Sequence, residues 1–151
     1  MNKEKNLALL NSLVEINCER MEGYKIMIHE TNDPEMKDLF SDLIETSELC
    51  RSELEEEIHR NGCLPRKGIL ITGKFHKLWC HLKQKLPQDR HSVLNSCKHA
   101  EDIIINRYKQ ALRNNLEHMT AEQQNTLNMH HALLKHDRDK LISLFASAMV
   151  A

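Results

Sequence analysis

A small set of side chains able to do chemistry falls where a heptad-like pattern calls for apolar ones: Asn17, Ser47, Glu101, His130 and Asp137, with the thiols Cys50 and Cys97. Burying a polar group without partners costs roughly 1–3 kcal/mol, so each of these needs a reason. Glu101 and Asp137 are both carboxylates. Two of them close together in an apolar interior need a compensating positive charge or a shared proton. A metal ion, an internal Arg or Lys, or a bound proton would each serve. A metal would take Glu101, Asp137 and the imidazole of His130, and iron or another divalent ion suits such a set. Without a metal, the same residues form a hydrogen-bonded polar layer that fixes helix register.

Other constellations are weaker. His130, His131 and His136 lie on one predicted helix but point in different directions, and the i, i+4 spacing of a helical metal pair is absent. They read as one buried and two surface imidazoles. His76 and Cys80 do share a helical face, and both are ligand types for zinc or copper, but two residues alone do not make a site, and His81 points elsewhere. Glu45, Glu48, Glu53, Glu55, Glu56 and Glu57 lie mostly off the seam and read as a solvated face. No Gly-rich phosphate loop, nucleophile elbow or Ser-His-Asp set is present in the sequence.

The elements that position these residues are four long amphipathic stretches. The first spans roughly Lys3 to Glu30, with Leu7, Leu10, Val14, Asn17, Met21, Tyr24 and Ile28 recurring at steps of three and four, and Leu13 and Met27 widening the seam. A period of 3.5 suits nearly aligned, left-handed packing. Asp33 as N-cap and Pro34 at the first helical position start the second helix, which runs to about Arg60 before the stop signal Asn61-Gly62. A connection this short makes the two helices antiparallel neighbours. A long segment follows, loop from Cys63 to Gly68, then a shorter amphipathic helix with Phe75, Trp79, Leu82 and Leu86, then Pro87. Trp79 and Phe75 read as the foot by which this crossover helix packs on the bundle. The third long helix runs from about His91 to Leu116. The fourth starts at Thr120, where Thr120-Ala121-Glu122-Gln123 reads as a capping box, and carries Leu127, His130, Leu134, Asp137, Leu141, Leu144 and Ala148 on its seam.

Helices of about 40 Å, at 1.5 Å per residue, joined short, long, short, have the connectivity of ferritin-like bundles. The expected fold is therefore all-α: a ferritin-like four-helix bundle with a long, helix-containing crossover between helices 2 and 3, in a single domain over 1–151. A five-helix bundle of another topology is the alternative. In that connectivity Asn17, Glu101 and Asp137 could meet in one polar layer, with His130 on the opposite side of mid-height.

Composition narrows the classes. The chain is 40% hydrophobic, 28% charged and 4% aromatic, with 4 Gly and 3 Pro, a helical balance. A net charge of -1 speaks against nucleic acid as a partner. No apolar run approaches membrane-spanning or signal-peptide length, so the expectation is a cytoplasmic protein with no membrane partner. The 5 Cys are odd in number and lack a CxxC pair, which fits small buried residues in a reducing compartment.

Several stretches together resemble a group of small ferritin-like bacterial proteins known as a domain of unknown function. They are Leu10-Asn11-Ser12-Leu13-Val14-Glu15-Ile16-Asn17, Glu22-Gly23-Tyr24, Asp33-Pro34-Glu35-Met36-Lys37-Asp38-Leu39-Phe40, Phe75-His76 to Trp79, Ala100-Glu101-Asp102 with Tyr108, and His136-Asp137-Arg138. The likeness runs from about Leu7 to Leu144 and implies the ferritin-like fold. Active di-iron members of that fold carry a Glu on each of two helices and a Glu-x-x-His on each of the others. Counting two turns back from Tyr24, as ferritins place the first-helix ligand, gives Asn17. Ser47 and Cys50 stand where a carboxylate and an imidazole are wanted, and the last helix has no Glu-x-x-His.

Two functional readings follow. The first is a non-enzymatic scaffold or interaction protein with an incomplete di-iron ligand set, without cofactor, self-associating as a dimer. The second is a metal-binding protein or di-iron oxidase that uses Glu101, Asp137 and His130. On the first reading, Leu at both Glu101 and Asp137 should be tolerated, as for other buried charges.

Overall fold

The computed structural model describes residues 2–65, 74–85 and 90–150. Five α-helices account for most of them: α1 (Lys3–Glu30), α2 (Pro34–Arg60), α3 (Lys74–Lys85), α4 (Arg90–Asn114) and α5 (Ala121–Val150). The architecture is an all-α helical bundle, with no strand among the described residues.

Local chemistry sets most boundaries. Asp33 Oδ1 accepts from the backbone N–H groups of Glu35 and Met36, and Pro34 occupies a position whose missing N–H costs nothing. Thr120 and Gln123 form the expected capping box: Gln123 N–H donates to Thr120 Oγ1 at 3.0 Å, and Thr120 N–H to Gln123 Oε1 at 3.1 Å. Gly62, with φ of 76°, ends α2 in the left-handed region, and Cys63 N–H turns back to Ile58 C=O. One boundary differs from expectation. α4 stops at Asn114, and a single 3₁₀ turn over Leu116–His118 leads to α5. Leu116 is half exposed there.

Contacts between elements give the directions. Asn6 near the start of α1 meets Gln123 near the start of α5, Asn17 shares a partner with His130, and Arg20 meets Asp137, so α1 and α5 run parallel. Asp33 and Glu35, at the start of α2, pair with Arg90 at the start of α4, so those two also run parallel. α1 packs on α2, α2 on α5, α5 on α4 and α4 on α1, a closed square. The crossover thus returns the chain along the bundle, as its length predicts.

α3 packs against α1 and α4. Among its described side chains, Trp79 and Leu82 are buried. The Trp79 indole lies on Gly23 of α1, where a Cβ would overlap the ring carbons, and it meets Tyr24 edge-on with centroids 4.7 Å apart. Phe40 stacks on the other side of Tyr24 at 5.2 Å. The side chains of Phe75, His76, Leu86 and Ala148, named above, lie outside the described residues. A continuous core from Leu10, Leu13 and Val14 through Phe40, Leu43, Leu54, Ile104, Leu134 and Leu141 joins the long helices. Among the described residues, no helix is long and apolar enough to cross a membrane.

Candidate functional site: a guanidinium between two carboxylates

All five polar seam residues are buried, as their spacing predicts. What holds them is a residue the seam pattern missed. Arg20 lies three positions after Asn17 and four before Tyr24, on the same face of α1, and its side chain is 0% exposed. Its Nε donates to Glu101 Oε2 at 2.9 Å and its Nη2 to Glu101 Oε1 at 2.5 Å, a two-pronged grip on one carboxylate. Nη2 also donates to Asp137 Oδ2 at 3.0 Å. Nη1 donates to Leu43 C=O at 2.7 Å and to Ser47 Oγ at 2.8 Å. Every N–H of the guanidinium therefore has an acceptor. Tyr24 closes the layer by donating its hydroxyl to Glu101 Oε2 at 2.8 Å.

The electrostatics agree with the geometry. Burial works against the charge on Arg20, but Glu101 beside it, with Tyr24 and Asp137, lifts the guanidinium above its ordinary range. Burial, then the Glu101 charge, pushes Tyr24 well above its usual value, so its hydroxyl stays a donor. The Cys97 thiol is likewise pushed up by burial and by Glu101, which leaves it an inert packing group.

A second network sits one turn toward the other end of the bundle. Asn17 Nδ2 donates to Leu13 C=O at 2.9 Å and to the Tyr108 oxygen at 3.0 Å. Tyr108 in turn lies 3.1 Å from His130 Nδ1, with Cys50 beside it. Burial pushes Tyr108 well above its usual range and Cys50 up to about 12, against a lowering by Arg20. His130 Nε2 faces Glu53 Oε2 at 3.5 Å.

The structure therefore sorts the candidate ligands differently from the sequence reading. Glu101 and Asp137 come together, and the cation between them is Arg20. Asn17 does not join their layer but belongs with His130, because the Tyr108 hydroxyl lies within its reach. His130 is not in the Arg20 network that joins Glu101 and Asp137, and among the described residues no three His, Cys, Asp or Glu side chains could hold a metal ion together. The donor set does not fit a carboxylate-bridged di-iron centre, since both Glu101 oxygens are engaged by a fixed cation. His131 is half-buried and His136 exposed. Cys80 is also exposed, and the side chain of His76 is outside the described residues.

One signal in the sequence points to Arg20. A cation one turn from a seam asparagine and one turn from a seam tyrosine, in a chain with two seam carboxylates, is their nearest candidate partner. The pattern alone does not choose it over a surface arginine, because Met21 fills the regular seam position beside it.

No curated protein is significantly similar to the chain. The family described as Domain of unknown function (DUF2383) matches residues 5–114, which include Arg20, Tyr24, Ser47, Glu101 and Tyr108. The chain belongs to that family.

Proposed function

We propose that this protein is a non-enzymatic, ferritin-like helical scaffold whose central layer is ionic and metal-free, and which works through its surface. The observation that carries this reading is the fully engaged Arg20. The positive charge that Glu101 and Asp137 require is built into the chain, and Ser47 and Leu43 C=O complete its shell. A buried ion network of this kind defines register among four helices. The parallel pairing of α1 with α5 and of α2 with α4 is the connectivity that ferritin-like bundles use.

Self-association as a dimer is part of the proposal. Leu49, Leu64, Leu116 and Met129 are exposed apolar side chains, Leu64 at 78% and Met129 at 63%, and light scattering of the full chain tests it. A monomer mass at working concentration would refute dimerisation. A reducing, cytoplasmic setting suits the five cysteines.

The central experiment is anaerobic incubation with ferrous iron, followed by desalting, metal analysis and oxygen-consumption measurement. The scaffold reading expects no pair of irons and no iron-dependent oxygen uptake above buffer. Two irons per chain with such uptake would replace it with the oxidase reading.

A further inference from the structure

We infer that the polar string Asn17–Tyr108–His130–Glu53 is an acid-sensitive latch. While His130 is neutral the string ties all four long helices together, and uptake of a proton by its imidazole releases the part of α5 around it. The inference goes beyond the scaffold reading and does not depend on it.

The string is anchored at a backbone carbonyl. Asn17 Nδ2 donates to Leu13 C=O at 2.9 Å. A carbonyl only accepts, so the amide cannot turn over without losing that bond. The same Nδ2 donates to the Tyr108 oxygen at 3.0 Å. Asn17 Oδ1 is buried without a hydrogen bond, so the amide gives Tyr108 a donor and takes no proton back. The phenol hydrogen is then directed to His130 Nδ1, 3.1 Å away. Nδ1 must accept, which places the ring hydrogen on Nε2, facing Glu53 Oε2 at 3.5 Å. Every donor in the string points the same way, from α1 through α4 and α5 to α2.

A second proton on the imidazole breaks this order, because both ring nitrogens of a charged histidine donate. Nδ1–H then meets a hydroxyl oxygen that already accepts from Asn17. The Tyr108 hydrogen loses its acceptor and is left with the Cys50 sulfur beside it, a weak one. The His130 side chain is 0% exposed, so the conflict cannot be relieved by solvent while the layer stays shut.

The groups around the ring are consistent with this. Asn17 of α1 is uncharged, and burial pushes up both Tyr108 of α4 and Cys50 of α2, which keeps them neutral. Arg20 is held a turn away by Glu101 and Asp137. On α5 itself, the adjacent His131 lies near Lys109 and Lys135. Glu53 of α2 is the charged group that faces the ring, and its side chain, 35% exposed, gives a proton its way in. Burial outweighs the pull of Glu53 and holds His130 below its ordinary 6.5. A base lowered in the folded state is protonated more readily when released, so its contribution is full above 6.5 and is lost as pH falls below it.

The test is NMR of the full chain labelled with nitrogen-15, titrated downward from neutral pH, with His130 assigned through its backbone. Nitrogen–proton correlations of the ring at neutral pH should show the Nε2–H tautomer. As pH falls, His130 should take up its proton in the same transition that exposes α5. Hydrogen-exchange protection of residues 127–134 should then drop by up to about tenfold per pH unit, the slope set by one proton. Asn17→Asp supplies Tyr108 with an acceptor, reverses the string, and should raise the His130 midpoint by about one pH unit or more. His130→Gln cannot titrate and should abolish the acid-driven loss of protection. An Nδ1–H tautomer in the wild type overturns the latch, as does a His130 that stays neutral down to global unfolding or titrates with protection unchanged. An equal loss of protection in His130→Gln assigns the opening to another group and overturns it too.

Discussion

Arg20→Met tests the ionic core directly. The substitution keeps much of the side-chain length and removes the charge, so Glu101 and Asp137 remain buried with no cation between them, and Ser47 Oγ loses its donor. Breaking a buried ion pair by deleting one partner costs about 3–5 kcal/mol, against a total of about 5–15 kcal/mol for a domain. The variant should therefore fold with a much lower urea midpoint at pH 7. The loss should also depend on pH. Without Arg20 the two carboxylates can stay inside only by binding protons, which raises their folded-state affinity above that of the unfolded chain. Such groups contribute stability below the unfolded range, near pH 4, that is lost as pH rises. The gap between variant and wild type should be larger at pH 8 than at pH 5. Urea titrations followed at 222 nm and extrapolated linearly measure it. A loss under about 1 kcal/mol at pH 7, or an equal loss at pH 5 and pH 8, would refute the reasoning. The triple variant Arg20→Met, Glu101→Gln, Asp137→Leu removes all three charges, keeps an acceptor for the Tyr24 hydroxyl, and should recover most of the stability. Placing Leu at Glu101 and Asp137 alone, harmless on the sequence reading, would instead strand Arg20 and be costly.

Three further outcomes are expected. Gly23→Ala drives a methyl group into the Trp79 ring, an overpacking worth about 1–3 kcal/mol. Trp79 is the sole tryptophan, so undocking of α3 should appear as a red shift of its emission, and an unshifted spectrum with unchanged stability would show that α3 docks elsewhere. Glu19 is pushed up to about 7 by burial, against a lowering by Arg107, so its contribution is full below the unfolded value and lost as pH rises through about 7. Glu19→Gln should then gain stability at pH 8 relative to pH 5, by about 1 kcal/mol after allowance for its partial exposure, and a gain equal at both pH values would contradict this. Cys50 and Cys97 are buried and Cys80 is exposed, so a thiol reagent should label Cys80 promptly and reach Cys50 and Cys97 only on unfolding, as peptide mapping by mass spectrometry would report.

The connection between α3 and the ionic layer is a consequence of packing. Trp79 touches Tyr24, Tyr24 donates to Glu101, and Glu101 holds Arg20. Displacing the crossover helix therefore disturbs the donor that completes the central layer. The aromatic contact couples a peripheral element to the middle of the bundle.

The sequence by itself determined the helices, most of their ends and their order. Asp33, Pro34, Gly62, Thr120 and Gln123 act on backbone groups only a few residues away, so their effect is local and legible. The seam spacing likewise forecast that Asn17, Ser47, Glu101, His130 and Asp137 are inside, because helical periodicity fixes which side a residue faces. The partners of those groups were decided only by tertiary structure. Arg20 sits at the margin of the seam, and its reach carries the guanidinium across to three other helices, a choice set by helix rotation and relative height rather than by spacing along one helix. The same freedom moved Asn17 from the carboxylate layer to Tyr108 and set His130 Nε2 opposite Glu53 on α2. A one-turn difference in height between neighbouring helices leaves every local signal unchanged and reassigns every long-range hydrogen bond.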